Sequence, residues 1–396
     1  MPHLSAAPPR PLWDGFSNPS VLDGLENPSH DLDGLENPSH DLDGLENPSH
    51  DLDGLENPSH DLDGLGNPLH NLCGPSKQVI DVSVCIANWN CRELLRACLH
   101  SLVNQPQGVR LEVIVVDNAS TDGAAEMVAL AFPRVRLIRN DDNRGFAVAN
   151  NQAARLARGR YLFFLNNDTV TPPGALGELV EFLEAHPEVI LVGPSLVGPD
   201  ARPQAAYRNQ PSIGAFMHRT WLCRLTGLFR ASYRAYRRRP LAPVGPCEVD
   251  MLLGAALMIA RRRFDELGGW DEAFAFGGED LDLSWRARQL GAIVHYPRVA
   301  VTHVGSASTK ENIAFASPRI AAGLVRHFRK SGATARQLLL YKLAVTLDAP
   351  VRIIVNSGRY LLRVCLGKRQ AAARSWTDVR RAAAFLARGL GPFWKA

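Results

Sequence analysis

Between Val82 and Leu183 the chain alternates short apolar runs with segments of helical spacing, and each run stops at polar residues. Val82-Ser83-Val84-Cys85-Ile86-Ala87 reads as a buried strand. Asn90-Cys91-Arg92-Glu93 then has the spacing of a capping box, followed by a helical stripe of Leu95, Cys98, Leu99 and Leu102. Leu111 to Val116 is a second strand ending at Asp117-Asn118, and Val135 to Arg139 a third, ending in a polar turn that contains Asn143-Arg144-Gly145. Phe146 to Arg158 has helical spacing, and Tyr161 to Leu165 is a fourth strand ending at Asn166-Asn167-Asp168. Thr171-Pro172 predicts a helix start, with Leu176, Leu179, Val180 and Leu183 as its core stripe. Strands alternating with helices predict an α/β fold, a mostly parallel sheet covered on both faces. Ligands of such sheets bind at the carboxyl ends of the strands. Asp117, Asn143 and Asp168, far apart in sequence, are therefore expected around one crevice.

The flanks differ sharply from this region. Residues 22–61 are four identical copies of Leu-Asp-Gly-Leu-Glu-Asn-Pro-Ser-His-Asp, with a degenerate fifth copy from Leu62 to Asn71. Two leucines per copy cannot offset the entropy of ordering the chain, so an acidic, disordered tail is expected over 1–76. That tail carries about −13 and the remainder about +17. A body so basic excludes an acidic binding module and suggests an anionic partner: a diphosphate ligand, a membrane surface or nucleic acid. No RNA-module signature accompanies the charge, and nucleic acid is not expected. Residues 205–247 contain eight arginines and no acid, interleaved with Trp221, Leu222, Leu225, Leu228, Phe229, Tyr233 and Tyr236. Residues 311–396 read as a basic helical region, and 77–310 as the domain between it and the tail. Seven scattered cysteines without a C-x-x-C pair argue for reduced thiols rather than a zinc site or disulfide framework. Neither a signal peptide nor an apolar run of spanning length is read, so a peripheral protein of the cytoplasm is expected.

Three groups carry the chemistry. Asp168, on a turn after a buried strand, suits a hard divalent cation, Mg²⁺ or Mn²⁺. Glu279 and Asp280 open a helical segment (Leu281, Leu283, Trp285, Leu290, then Gly291), where the helix dipole favours ionised carboxylates. Asp280 is the expected general base. His303 closes a β-like run from Ile293 to Val304, a place where a lone histidine is usually a satisfied core residue. Asp117 and Asn118 could bond a base or ribose. Arg144 could meet a phosphate before the helix that starts at Phe146.

In order, the motifs resemble family-2 glycosyltransferases of the GT-A fold, particularly bacterial rhamnosyl- and galactofuranosyltransferase-like members. The matching segments are Val82 to Asn90, Val115 to Asp122, Asn143 to Ala147, Leu165 to Thr169, Gly254 to Ile259, Gly268 to Glu272, Gly278 to Leu283, and His303 before Gly305-Ser306-Ala307-Ser308. The resemblance implies an inverting, metal-dependent transfer of a sugar from a nucleoside-diphosphate donor. The acceptor would be lipid-linked or a polysaccharide of the cell envelope, at the inner face of the membrane; rhamnose from a dTDP donor is the leading expectation. It implies that Asn88, Asp117, Asn118, Asn143, Arg144, Gly145 and Asn167 meet the nucleotide-sugar. Asp168 ends a D-x-D-like element whose first carboxylate is Asn166 here, and His303 completes the metal shell. Asp280, with Glu279 beside it, is the base, and Gly254, Trp270 and Asp282 border the acceptor. A nucleotidyltransferase is the enzyme alternative, but Asn88-Trp89-Asn90 is not a glycine-rich triphosphate loop. A non-catalytic scaffold using the repeat tail is the other.

Overall fold

The computed structural model describes residues 79–237, 245–274, 277–304 and 313–396. The repeat tail, with its expected disorder, lies outside them, as do Arg238, Arg239 and the segment Gly305-Ser306-Ala307-Ser308. Each of the four apolar runs is a strand: β1 Val82–Asn88, β2 Leu111–Asn118, β3 Arg136–Asn140 and β4 Tyr161–Leu165. β5 Thr169–Val170, β6 Val189–Val197, β7 Pro203–Gln204 and β8 Tyr207–Arg208 follow. Then come β9 Cys247–Glu248, β10 Met251–Leu252, β11 Ala256–Ala260 and β12 Ala292–His303.

The main sheet runs β3-β2-β1-β4-β11-β6-β12-β5. Its first half is the expected parallel one: β1 pairs in parallel with β2 and β4, and β2 with β3. β4 is buried along its whole length, as a strand covered on both faces must be. Past β4 the sheet is mixed. β11 runs antiparallel to both β4 and β6, while β6 and β12 are parallel. This reversal positions the site. Because Ala256 pairs with Leu165, the residues entering β11, Gly254-Ala255, lie beside those leaving β4. The Asn166 N–H donates to the Ala255 carbonyl at 2.9 Å. The end of β12 arrives at the same edge, His303 pairing with Thr169.

The capping box expected at Asn90 does not form. The helix starts at Arg92 after Cys91, without a side-chain cap. Asn90 instead takes a left-handed backbone (φ 51°), and its side-chain oxygen accepts from the Thr121 N–H at 2.7 Å. A bond between the loops after β1 and β2 wins over the local cap. The helix expected at Thr171-Pro172 begins later, spanning Ala175–Ala185.

The C-terminal region is helical as expected: Ile313–Lys330, Ala335–Cys365 and Arg369–Ala384. Phe328, Leu338, Tyr341, Phe385 and Phe393 pack there with Phe216 of the short helix Ile213–Met217. Val79–Ala396 is one compact unit. Among the described residues no helix is long and apolar enough to cross a membrane. The cysteines among them are all free.

Phe164 is fully buried between the rings of Phe264 and Trp270, with centroids at 4.9 and 5.1 Å. Phe164→Ala should lower the unfolding free energy by about 3–5 kcal/mol, because these large rings cannot close over the cavity. Denaturant titration checks this; a loss under about 1 kcal/mol would mean that the cluster repacks freely.

Candidate active site

The strand ends of β1, β2, β4 and β12 and the entry to β11 surround a cavity of about 480 Å³. Neutral amides build its first wall. The Asn88 amide donates to Asp117 at 2.8 Å and accepts from Asn167 at 2.7 Å. Asp117 is fixed further by the Ser120 N–H at 3.0 Å and hydroxyl at 2.6 Å. Asn118 accepts from Asn140 at 2.9 Å and donates to the Gly145 carbonyl at 3.3 Å. The Asn143 side chain accepts from the Gly145 N–H at 3.0 Å and holds Gly145 at φ 85°, where a side chain would be strained.

Asp168 and His303 face each other across the second wall, with Oδ1 3.4 Å from Nε2. Gln204 fixes the imidazole from behind. Its amide nitrogen donates to the His303 carbonyl at 2.8 Å, so its oxygen is the atom 2.9 Å from His303 Nδ1. That oxygen can only accept, so Nδ1 carries a proton, and in the neutral tautomer Nε2 is left with a lone pair on the side of the carboxylate. Two lone-pair donors at ligand-to-ligand spacing, with the outer nitrogen of the imidazole tied down, fit a divalent cation. Among the described residues no three His, Cys, Asp or Glu side chains stand close enough together to hold one metal ion. The protein would thus supply two ligands and leave the others to phosphate oxygens and water, the habit of magnesium-type sites.

The third wall is the start of the helix Glu279–Ala287. Gly277 and Gly278, both left-handed (φ 82° and 99°), turn the chain into it. A Cβ on Gly323 of the C-terminal helix would lie 2.0 Å from the Gly277 carbonyl, so the two backbones touch. Asp280 accepts from the N–H groups of Gly254 at 3.3 Å and Leu281 at 2.9 Å. Glu279 is buried, and its Oε2 has no partner. Burial raises both carboxyls above the ordinary range; the Asp280 charge adds to the effect on Glu279. The sequence argument from the helix dipole is thereby outweighed. A helix N-terminus is worth about 0.3–1 kcal/mol to a carboxylate, whereas taking an ion out of water costs several. The N–H groups on Asp280 and the Arg208 guanidinium pull its value back down.

The cavity brings together Asn88, Asn118, Asn143, Gly145, Asn167, Asp168, Gly254, Glu279, Asp280 and His303 of the residues singled out from the sequence. Four others stand elsewhere. Asp117 is behind Asn88, and Arg144 points outward to pair with Asp142 at 3.1 Å. Trp270 is buried in the core, its ring 5.3 Å from that of Phe146. Asp282 is fully buried; it pairs with Arg286 at 2.7 Å and with Lys330, two partners drawing it away from the cavity. The helix explains the split, since Glu279 and Asp280 open it toward the cavity while Asp282, part of a turn on, meets Arg286 at i+4. Sequence reasoning missed Gln204 and Arg208, which line the cavity from the short strands β7 and β8. The one signal for Arg208 was its place at the head of the acid-free stretch.

Residues 83–245 match the family model described as glycosyl transferase family 2. The match includes the amide wall and Asp168 and stops before Glu279, Asp280 and His303. The chain is 29% identical over 215 residues to the N-acetylglucosaminyl-diphospho-decaprenol L-rhamnosyltransferase of Mycobacterium tuberculosis, covering 50% of this chain and 68% of that one. It is 31% identical over 104 residues to the Escherichia coli UDP-Glc:alpha-D-GlcNAc-diphosphoundecaprenol beta-1,3-glucosyltransferase, 26% of this chain and 41% of that one. Among solved structures, a mannosyltransferase of Pyrobaculum calidifontis in complex with GDP-Man and Mn2+ superposes with a TM-score of 0.46 and 21% identity, over 81% of this chain and 88% of that one.

Removing Asp282 leaves Arg286 and Lys330 without their shared anion. Asp282→Ala should cost about 3–5 kcal/mol of stability in denaturant titration. A loss under about 1 kcal/mol would mean that the pairing is not what holds this helix.

Proposed function

We propose, from the match of residues 83–245 to the family-2 glycosyltransferase model, a donor, an acceptor and a role for each wall of the cavity. The chain transfers a sugar from a nucleoside-diphosphate donor to a lipid-linked or polysaccharide acceptor in cell-envelope glycan synthesis. The observation that carries this reading is the convergence, in one cavity, of the facing Asp168 and His303 and of two adjacent carboxyls, buried Glu279 and half-buried Asp280. L-Rhamnose is the favoured sugar, on the likeness to the Mycobacterium relative. Exposed Trp221, Leu222, Leu225 and Leu228, set among arginines, support work at a cytoplasmic membrane surface.

In this reading the nucleoside lies along Asn88 and Asn118, and the diphosphate meets the helix start at Gly145. Asp168 and His303 would hold Mg²⁺ or Mn²⁺, which would supply positive charge against the departing diphosphate. Asp280 accepts the proton of the acceptor hydroxyl. That oxygen forms its bond to the anomeric carbon as the carbon–oxygen bond to the diphosphate breaks, which inverts the configuration. The Gly254 N–H holds Asp280 on the acceptor side.

Calorimetry of UDP, dTDP and GDP with the full chain, with and without Mg²⁺ or Mn²⁺, tests the donor half. One nucleotide should bind in a metal-dependent way, and Asp168→Ala should weaken it tenfold or more. Binding of none by the folded protein would favour the scaffold reading. Asp280→Asn should keep nucleotide affinity within about twofold and lower kcat by about 10²–10⁴-fold, the share general-base catalysis usually supplies. Near-normal turnover in that variant would remove Asp280 from the role.

The pH profile has a definite sign. A base must be ionised, and burial raises Asp280. Activity should therefore fall on acidification at a pH above the ordinary aspartate value of about 3.9. A limb at or below that value would show that the carboxylate is solvated during turnover.

A further inference from the structure

Beside the active-site cavity lies a larger one, of about 840 Å³, whose lining includes Arg219, Arg224, Arg230, Arg234 and Arg352 and no carboxylate. Arg352 is paired with Asp348. Among the described residues the other four pair with no carboxylate, and Arg219 lies over the Phe216 ring at 5.2 Å. The helix Arg230–Arg237 presents Arg230, Tyr233, Arg234 and Arg237 at i, i+3, i+4 and i+7, one continuous face. Several guanidinium groups gathered without counter-charge repel one another, and an anion with several oxygens relieves this through charge-assisted bonds.

Two neighbouring cavities indicate which anion. One, of about 360 Å³, shares Arg219 and Tyr233 with the arginine cavity and Arg208, Leu253 and Asp280 with the active site, and so joins them. The other, also about 360 Å³, leads from Arg219 and Arg352 along Phe216, Ile320, Leu324, Tyr341, Val345 and Ala349, and its only carboxylates, Asp348 and Asp378, are paired with Arg352 and Arg381. In order, these spaces offer a proton acceptor, a cluster of guanidinium groups and an apolar groove. We propose that the arginine cavity binds the diphosphate of a lipid-linked acceptor, with the sugar toward Asp280 and the hydrocarbon chain along the apolar groove. The assignment rests on the transferase reading for its direction, since only that reading gives Asp280 an acceptor hydroxyl. The anion site itself rests on the arginines.

The test uses the full chain and farnesyl diphosphate in neutral detergent, measured by calorimetry without divalent cation so that the donor site does not compete. Arg230→Gln/Arg234→Gln should bind this probe at least tenfold more weakly than the wild type. Farnesol, which lacks the diphosphate, should not distinguish the two proteins. Metal-dependent nucleoside-diphosphate binding should stay within about twofold. No residue of this helix is buried, so the substitutions do not threaten folding; Arg224→Gln, on the neighbouring helix, gives an independent reading in the same direction. Equal affinity of both proteins for farnesyl diphosphate would overturn the proposal. So would loss of sedimentation with phosphatidylglycerol vesicles while farnesyl diphosphate still binds, because the arginines would then serve membrane headgroups. If no nucleoside diphosphate binds the wild type but the arginine-dependent farnesyl diphosphate binding stands, the donor reading fails and the lipid-diphosphate site survives.

Discussion

Asp282 holds the Gly277-Gly278 turn and the helix start of the candidate site in place without lining the cavity. Its carboxylate is fully buried, and both Arg286 and Lys330 reach it. Arg286 also donates to the carbonyls of Leu267 and Gly269, at 2.7 and 2.9 Å, and Lys330 to Asp271 at 2.9 Å. One carboxylate thereby ties together the helix that starts at Glu279, the loop before it and the C-terminal helix Ile313–Lys330. Leaving any of these charges unpaired in the interior would cost more than an ordinary surface contact returns. Gly323 completes the clamp by letting its helix backbone rest on the Gly277-Gly278 turn. The C-terminal region is therefore part of what shapes the candidate site.

The opposite wall follows a different physical rule. There the chain uses asparagine where charge would be costly. Asn88, Asn118, Asn140 and Asn167 satisfy one another, Asp117 and the backbone. Each amide both donates and accepts, and the one carboxylate among them, Asp117, is held by the Asn88 amide and by the Ser120 N–H and hydroxyl. The carboxylates that do line the cavity, Asp168, Glu279 and Asp280, stand where a cation or a proton has a use.

Much of this was legible in the sequence. The strands up to β4 were readable because a buried strand needs a continuous apolar run, and their polar ends marked the crevice before any geometry was known. Asp168, Glu279, Asp280 and His303 could be singled out because each interrupts or ends such a pattern. The reversed direction of β11 was not legible, since an apolar run such as Ala256–Ala260 has the same appearance in either orientation. Asn90 misled because its partner, Thr121, is distant in sequence. Asp282 and Trp270 misled for a related reason: proximity to a motif in sequence does not say which face a helix or loop turns inward. Gln204 and Arg208 sit on two-residue strands with no periodicity to detect.

The two carboxyls at the head of the helix are chemically alike, yet their surroundings differ in a way that separates their roles. Desolvation raises both. Asp280 has the Gly254 and Leu281 N–H groups and the field of Arg208 to stabilise its charge, whereas Glu279 leaves one oxygen without a partner. A proton shared by such a pair rests on the group whose anion is less well solvated, which is Glu279. Asp280, the better solvated of the two as an anion, lies on the Arg208 side of the cavity, where the space toward the arginine cluster begins. The same arginine thus faces two ways: its field lowers the Asp280 value, and it lines the space that leads toward the arginine cluster.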